Sequence, residues 1–439
     1  MMGKIVTKFG GSSLSDASQF RKVKGILDLD SRRCYVVPSA PGRRFDGDDK
    51  ITDLLYKCYR MHKNGEDIRP VFKLVRDRFC GIARELKLEI EIEEYLDEVE
   101  RDILSDASAD YCASRGEYLN GLLLADYLGY MFLDPKDFIF FNKDGTFNSE
   151  RTNDALTALL KYCKKAVIPG FYGSMDEEIH TFSRGGSDIS GAIVARAAKA
   201  ELYENWTDVS GFLMADPRVV PGAKSISNIT YRELRELSYM GASVLHEDSV
   251  FPVHRAGIDT NIRNTNAPED PGTLISHSLP ETENPDVITG VAGKLGFSVI
   301  SVEKAMMNVE RGFGRRVLQA IEEHGISFEH MPTGIDTMCV VVVTADLEPV
   351  REKVINRIIE LTEPDTLTIH DDMGIIATVG RGMVHNPGTA ARLFSALSQA
   401  HVNVRMIDQG SSELSILVGV DSGDFQAAMR AIYHEFVKD

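Results

Sequence analysis

Arg184-Gly185-Gly186-Ser187-Asp188 sets a guanidinium and a carboxylate four positions apart, with almost bare backbone between them. The planar fork of arginine takes a carboxylate or a phosphate through two parallel hydrogen bonds, and a carboxylate takes an ammonium. The two ends of this segment therefore match the two charged ends of a free amino acid. An Ala-rich run follows, with Ile189, Ala192, Ile193 and Ala197 on one face, and reads as a helix. Ser187 is expected as its N-cap, and Asp188 falls in the first turn, where a negative charge suits the helix dipole. Helix starts often carry an acid for that reason alone, so the segment does not decide the chemistry by itself.

A second segment asks for an anion. Lys8-Phe9-Gly10-Gly11-Ser12-Ser13 reads as a strand ending in two glycines, whose exposed N–H groups can cradle phosphate oxygens beside the Lys8 charge. It lacks the GxxxxGK[ST] spacing of a P-loop, and Gly-Gly after a strand also serves as a tight turn. The segment from Trp206 to Val220 carries Thr207-Asp208 and then Asp216-Pro217-Arg218, fit for a ribose and phosphates or for two ordinary polar turns. Glu117, in Ser-Arg-Gly-Glu-Tyr-Leu-Asn, reads locally as a capping glutamate at a helix start.

These segments need a scaffold. Residues 4–9 and 34–40 read as strands with an amphipathic helix between them, which signals an α/β sheet. Residues 164–174 and 200–211 each read as a strand that delivers a loop, and the alternation continues to about Leu274. The acidic stretch 85–104 reads as a solvated helical insertion. Residues 277–287, polar with two prolines, form the best linker. Beyond it the sequence repeats at 76 positions: Gly312, Val317, Ile321, Ile326 and Gly334 answer to Gly388, Leu393, Leu397, Val402 and Gly410. Each copy reads as strand, helix, strand, strand. The expected division is 1–285, 286–361 and 362–439.

Composition narrows the function. With 49 Lys and Arg against 66 Asp and Glu, the net charge of −17 argues against a nucleic-acid or anionic-membrane surface. The six cysteines form no CxxC pair, and the histidines show no HxH or HxxxH spacing, so neither a metal site nor a disulfide framework is expected. No signal peptide or membrane span is legible, and a cytoplasmic protein is expected.

In order along the chain, KFGGSS, SAPG with Thr52 downstream, RGEYLN, GFYGS, FSRGGSD, TDVSGFLMADPRVV, GASVLH and IRNT resemble the motifs of the aspartokinases. These belong to the amino-acid kinase superfamily, and the duplicated tail resembles their paired ACT domains. The resemblance covers essentially the whole chain. It implies an open sheet sandwiched by helices, followed by two ferredoxin-like βαββαβ domains. It implies phosphorylation of the side-chain carboxylate of L-aspartate by ATP, with Mg2+ carried in on the nucleotide. By motif position Lys8 stabilises the transferring group, while the amides of Gly10, Gly11 and Ser12 hold phosphate. Arg184 clamps the α-carboxylate, and Glu117 and Asp188 take the ammonium. Thr52, Phe171 and Ser187 line the pocket. Thr207, Asp208, Asp216, Arg218 and Ser243 hold the nucleotide. Two departures stand out: Ser243 occupies a position where the family commonly has lysine, and Leu213 one where it often has tyrosine. Both point to weakened nucleotide binding rather than inactivity.

For the tail, the resemblance implies a feedback amino acid bound near the amides of Phe313 and Gly314. Met307, Phe328 and Thr333 would line that site and Glu329 would pair with a cationic side chain. Lysine is the favoured effector and threonine the second. A homodimer or dimer of dimers through the ACT domains is expected, and the strand at 286–293 is expected to pair with the C-terminal unit. No homoserine dehydrogenase portion follows, so a bifunctional fusion is not expected.

Overall fold

The computed structural model describes residues 3–183, 185–242, 247–278 and 286–437, with residues 247–250 described by their backbone alone. The chain forms two compact units. One contains residues 3–212, Ser225–Tyr231 and 247–278. The other contains Leu213–Lys224, 232–242 and 286–437.

The first unit is built on an eight-stranded sheet. Its order is Met131–Phe132, Ala166–Val167, Arg33–Pro38, Ile5–Phe9, Leu202–Thr207, Asp259–Asn264, Thr273–Ser276 and Asn228–Thr230. The first six strands run parallel, Thr273–Ser276 is antiparallel to its predecessor, and the last pair is parallel. Ile5–Phe9 and Arg33–Pro38 are buried along their whole length, as expected of central strands covered on both faces. Phe9 and Trp206 enter one core, shared with Phe20, Leu55, Phe72, Phe79 and Leu123. Tyr203 meets the helix Gly186–Ala198 on the other face, where a Cβ added at Gly191 would lie 2.4 Å from its hydroxyl.

The stretch at 85–104 is not a solvated insertion. The helix Arg69–Leu86 ends at Lys87, which takes a left-handed conformation, and a separate helix Ile92–Leu104 follows. Ile92, Leu96, Val99 and Ile103 recur at helical spacing and enter the main core. The acids that dominate the composition occupy the opposite face.

The second unit holds an antiparallel six-stranded sheet ordered Phe328–His330, Thr337–Val343, Gly290–Glu303, Thr366–Val379, Ser415–Asp421 and Val404–Asp408. The two longest strands pair over their whole length, from Gly290 with Val379 to Glu303 with Thr366, and shift register near Phe297. Thr337–Val343 pairs with the 297–303 half, and Ser415–Asp421 with the 373–379 half. Gly290–Gly293 thus lies beside Ile376–Val379, so the opening strand does pair into the C-terminal half. One βαββαβ set is inserted in the other, and the strand pairing does not divide at 361/362. The repeat is clear in the helices. Phe313–Glu322 and Thr389–Gln399 each start after a glycine in the left-handed region, Gly312 with φ 79° and Gly388 with φ 92°.

No helix among the described residues is long and apolar enough to cross a membrane.

Candidate active site

In open parallel sheets, ligands bind beyond the carboxyl ends of the strands. At that end of the first unit lie Gly10-Gly11 after one strand, Ser39–Gly42 after the next, and Thr207-Asp208 at the end of a third. The register sets Lys8 beside Asn205 on adjacent parallel strands. Lys8 Nζ lies 2.5 Å from Asp188 Oδ1 and 3.4 Å from Asn205 Oδ1, and Asn205 Nδ2 donates to Asp188 Oδ1 at 2.9 Å. Tyr203 donates its hydroxyl to the Asp188 carbonyl at 3.2 Å. The expected cation and acid therefore meet at the mouth of the helix Gly186–Ala198. Asn205, 3% exposed, completes the contact. Sequence reading passed over it; the available signal is an amide beside Glu204 inside a buried central strand.

The glycine loop is shaped by close approach. A Cβ on Gly42 would lie 2.6 Å from the Gly11 carbonyl carbon, and one on Gly11 would lie 2.9 Å from the Ala40 oxygen. The Gly42 N–H donates to the Gly11 oxygen at 2.8 Å. Arg78, buried and ion-paired with Asp48, donates to the Gly42 carbonyl at 2.9 Å and props the loop from behind. The Gly10 amide differs from expectation. It donates to the Trp206 carbonyl at 2.9 Å, so it is engaged within the sheet. The Gly11 and Ser12 amides open the short 3-10 turn Gly11–Leu14, which leaves them without an acceptor inside that turn.

Glu117 is not at a helix start. It lies in the middle of Ala109–Leu128 and is 5% exposed. The loop after Arg33–Pro38 comes close at Gly116, where a Cβ would meet Ala40 Cβ at 2.8 Å. Ser187 donates its hydroxyl to Glu117 Oε1 at 3.5 Å, and Oε2 has no partner among the described residues. Burial pushes the carboxyl up to about 7, against smaller opposing effects of the Ala40 N–H, Ser187 and Arg115. Ser187 is not the N-cap either. Gly185, with φ 62°, holds that position without a side-chain bond, so Ser187 is the second helical residue and its hydroxyl is turned to Glu117. Phe171 adopts φ 81°, a conformation costly for a bulky side chain, and is fixed by its N–H to Ser190 Oγ at 2.9 Å. Thr52 is half-buried in the first turn of Ile51–Lys63. Arg184 lies outside the described residues.

Of the expected nucleotide residues, Thr207 and Asp208 end the strand Leu202–Thr207, with Thr207 Oγ1 donating to Asp208 at 3.2 Å. In the second unit, Arg218 pairs with Asp216 at 2.7 Å and holds that carboxyl below the usual range. Ser243 lies outside the described residues.

The expected effector residues divide. Met307 and Phe313 are buried in the core that includes Val317, Val340 and Val354. The Phe313 N–H donates to the Glu310 carbonyl at 3.3 Å and the Arg316 N–H to the Gly312 carbonyl at 3.1 Å, so Gly314 lies among the first-turn amides that lack an intrahelical acceptor. Phe328 is 48% exposed, Glu329 half-buried and Thr333 exposed, so they form the accessible edge.

Comparison with known proteins identifies the family. The amino acid kinase family model matches residues 3–264 and an ACT domain model matches residues 376–436. The chain is 39% identical to aspartokinase 3 of Bacillus subtilis (strain 168), over 98% of each chain. Among solved structures it resembles Clostridium acetobutylicum aspartate kinase, at 50% identity and TM-score 0.90, covering 99% of this chain and 100% of that one. It shares the fold of E. coli aspartokinase III, at 24% identity and TM-score 0.73. That enzyme was solved with aspartate and ADP, covering 98% and 99% of the chains, and with lysine and aspartate, covering 99% and 100%. The chain belongs to the amino acid kinase family and within it to the aspartokinases, as an aspartate kinase with C-terminal ACT architecture.

Proposed function

We propose that the first unit transfers the γ-phosphoryl group of MgATP to the side-chain carboxylate of L-aspartate, giving 4-phospho-L-aspartate and ADP. The observation that carries this reading is the pairing of Lys8 with Asp188 beside Glu117, a buried carboxylate with an open oxygen. A carboxylate is already a nucleophile at neutral pH, so the reaction needs no catalytic base. One aspartate oxygen forms the new bond to phosphorus as the bond to the bridging oxygen breaks, and ADP leaves with the electron pair. Positioning and charge neutralisation supply the catalysis. Lys8 neutralises the phosphoryl oxygens, the Gly11 and Ser12 amides hold phosphate, and Glu117 and Asp188 take the ammonium. Arg184 takes the α-carboxylate, while Thr52, Phe171 and Ser187 enclose the substrate. Thr207 and Asp208 bind nucleotide, with Asp216, Arg218 and Ser243 assigned to it by motif position. Mg2+ enters on the ATP phosphates; among the described residues no cluster of three His, Cys, Asp or Glu forms a metal site.

Lysine is the proposed effector of the second unit and threonine the second choice. Glu329 faces the cationic side chain and the Gly314 amide takes the carboxylate. The lysine complex of the E. coli enzyme supports this choice. A homodimer or dimer of dimers through the ACT domains, a cytoplasmic location, and a first step towards lysine, threonine and methionine complete the proposal. Trapping the acyl phosphate with hydroxylamine tests it. Hydroxamate that requires both ATP and aspartate is the expected result. Its absence at high protein concentration favours an amino-acid sensor built on a kinase fold.

A further inference from the structure

We infer that Asn205 is a positioning residue for phosphoryl transfer, holding Lys8 and Asp188 apart in function while they touch in space. This rests on the proposed roles of those two residues. Lys8 and Asp188 have opposite tasks: one must meet the phosphoryl oxygens and the other the substrate ammonium. Yet their charges lie 2.5 Å apart, and a bare ion pair of that kind would occupy both. Asn205 is the neutral group that touches both. Its Nδ2 donates to Asp188 Oδ1 and its Oδ1 accepts from Lys8 Nζ. One amide therefore satisfies part of each charge without adding charge of its own.

The geometry makes the direction of this effect specific. Lys8 and Asn205 both contact Asp188 at Oδ1, and Oδ2 is proposed to meet the substrate ammonium. Lys8 has three N–H donors, and two are directed at Asp188 and Asn205. The third remains for a phosphoryl oxygen. Asn205 cannot drift, because its strand is in parallel register with that of Lys8 and its side chain is 3% exposed. Tyr203, two residues earlier on the same face, fixes the Asp188 backbone from the same strand. Two side chains of one strand thus brace one turn of helix. The side-chain hydrogen bonds of Asn205 run to Lys8 and Asp188, so its influence is proposed to pass through them.

Asn205→Leu keeps the branched shape and removes both hydrogen bonds. Lys8 and Asp188 are then left with only each other, and kcat falls by about 10- to 100-fold, the worth of hydrogen bonds to charged groups felt in the transition state. The KM values for aspartate and ATP stay within about threefold of the parent's, because the binding groups remain. Asn205→Asp keeps the shape and the contact to Lys8 but sets a second carboxylate against Asp188. It introduces a new ionisation into the pH dependence of kcat, which the leucine variant lacks. Both variants are checked for folding by thermal unfolding. A folded Asn205→Leu enzyme with kcat within twofold of the parent's overturns the proposal, as does a loss of kcat that only matches the loss of folded protein. If Asn205→Leu does not fold, the aspartate variant decides, and an unaltered pH profile refutes the role. Lys8→Ala, run in parallel, separates the two levels of the argument. Retained turnover there would sink the site assignment itself, whereas an inactive Lys8→Ala with a normal Asn205→Leu would sink only the inference about Asn205.

Discussion

Replacing Glu117 with glutamine changes a group whose raised pKa links aspartate binding to pH. In the free protein, burial holds this carboxyl at about 7, well above the ordinary value of 4.5. Ligand ammonium placed against its open Oε2 favours the ionised form, so binding expels the proton. The number released follows the protonated fraction of the free protein: about 0.9 at pH 6, about 0.5 at pH 7 and about 0.1 at pH 8. Affinity for aspartate should weaken by about tenfold per pH unit below 7 and level off above it. Calorimetric titration in two buffers of different ionisation enthalpy reads the proton count directly. Glu117→Gln should abolish the release and weaken aspartate binding by about 10- to 100-fold. The same substitution has an opposite effect on stability. Because the folded carboxyl binds its proton more tightly than the unfolded one, Glu117 costs nothing extra below pH 4.5. Its cost grows as pH rises through 7, towards about 3 kcal/mol. Glutamine should therefore raise Tm at pH 8 and leave it almost unchanged at pH 4. Proton release of zero at pH 6 in the wild type would refute the reasoning, since an acid ionised before binding has nothing to expel.

The buried pair Arg33–Glu204, bonded at 2.8 and 2.9 Å and joined by the Trp206 indole N–H, predicts that Glu204→Ala loses about 3–5 kcal/mol in denaturant unfolding. A loss below about 1 kcal/mol would show that the arginine finds other partners. Gly42→Ala drives a methyl into the Gly11 backbone, so it should raise the KM for ATP by about tenfold or more, with kcat less affected. An unchanged KM would mean that the two loops separate freely. Glu329→Ala should weaken lysine inhibition by about tenfold and leave uninhibited turnover intact. An unaltered inhibition constant would remove this residue from the effector site.

Much of the fold was legible because the periodicities are strong and local. Lys8 and Asn205 are side by side through strand register, which no spacing in the sequence reveals, and this is why Asn205 escaped notice. Glu117 shows the complementary difficulty: small residues around an acid suggested a helix start, while in the fold they allow helix and loop to approach at Gly116. The 76-residue repeat gave both regulatory helices. The insertion of one set in the other depends on the long pairing from Gly290 to Glu303, a tertiary fact that the repeat only hinted at. Likewise the acid-rich run at 92–104 hid an apolar stripe that the core required.

Hydroxamate turnover by Lys8→Ala bears most directly on how this pocket works. If Lys8 is the charge that meets the moving phosphoryl group, the variant should lose roughly 10²–10³-fold in rate while calorimetry still detects aspartate binding. Turnover near the wild-type rate in a folded Lys8→Ala protein would contradict it.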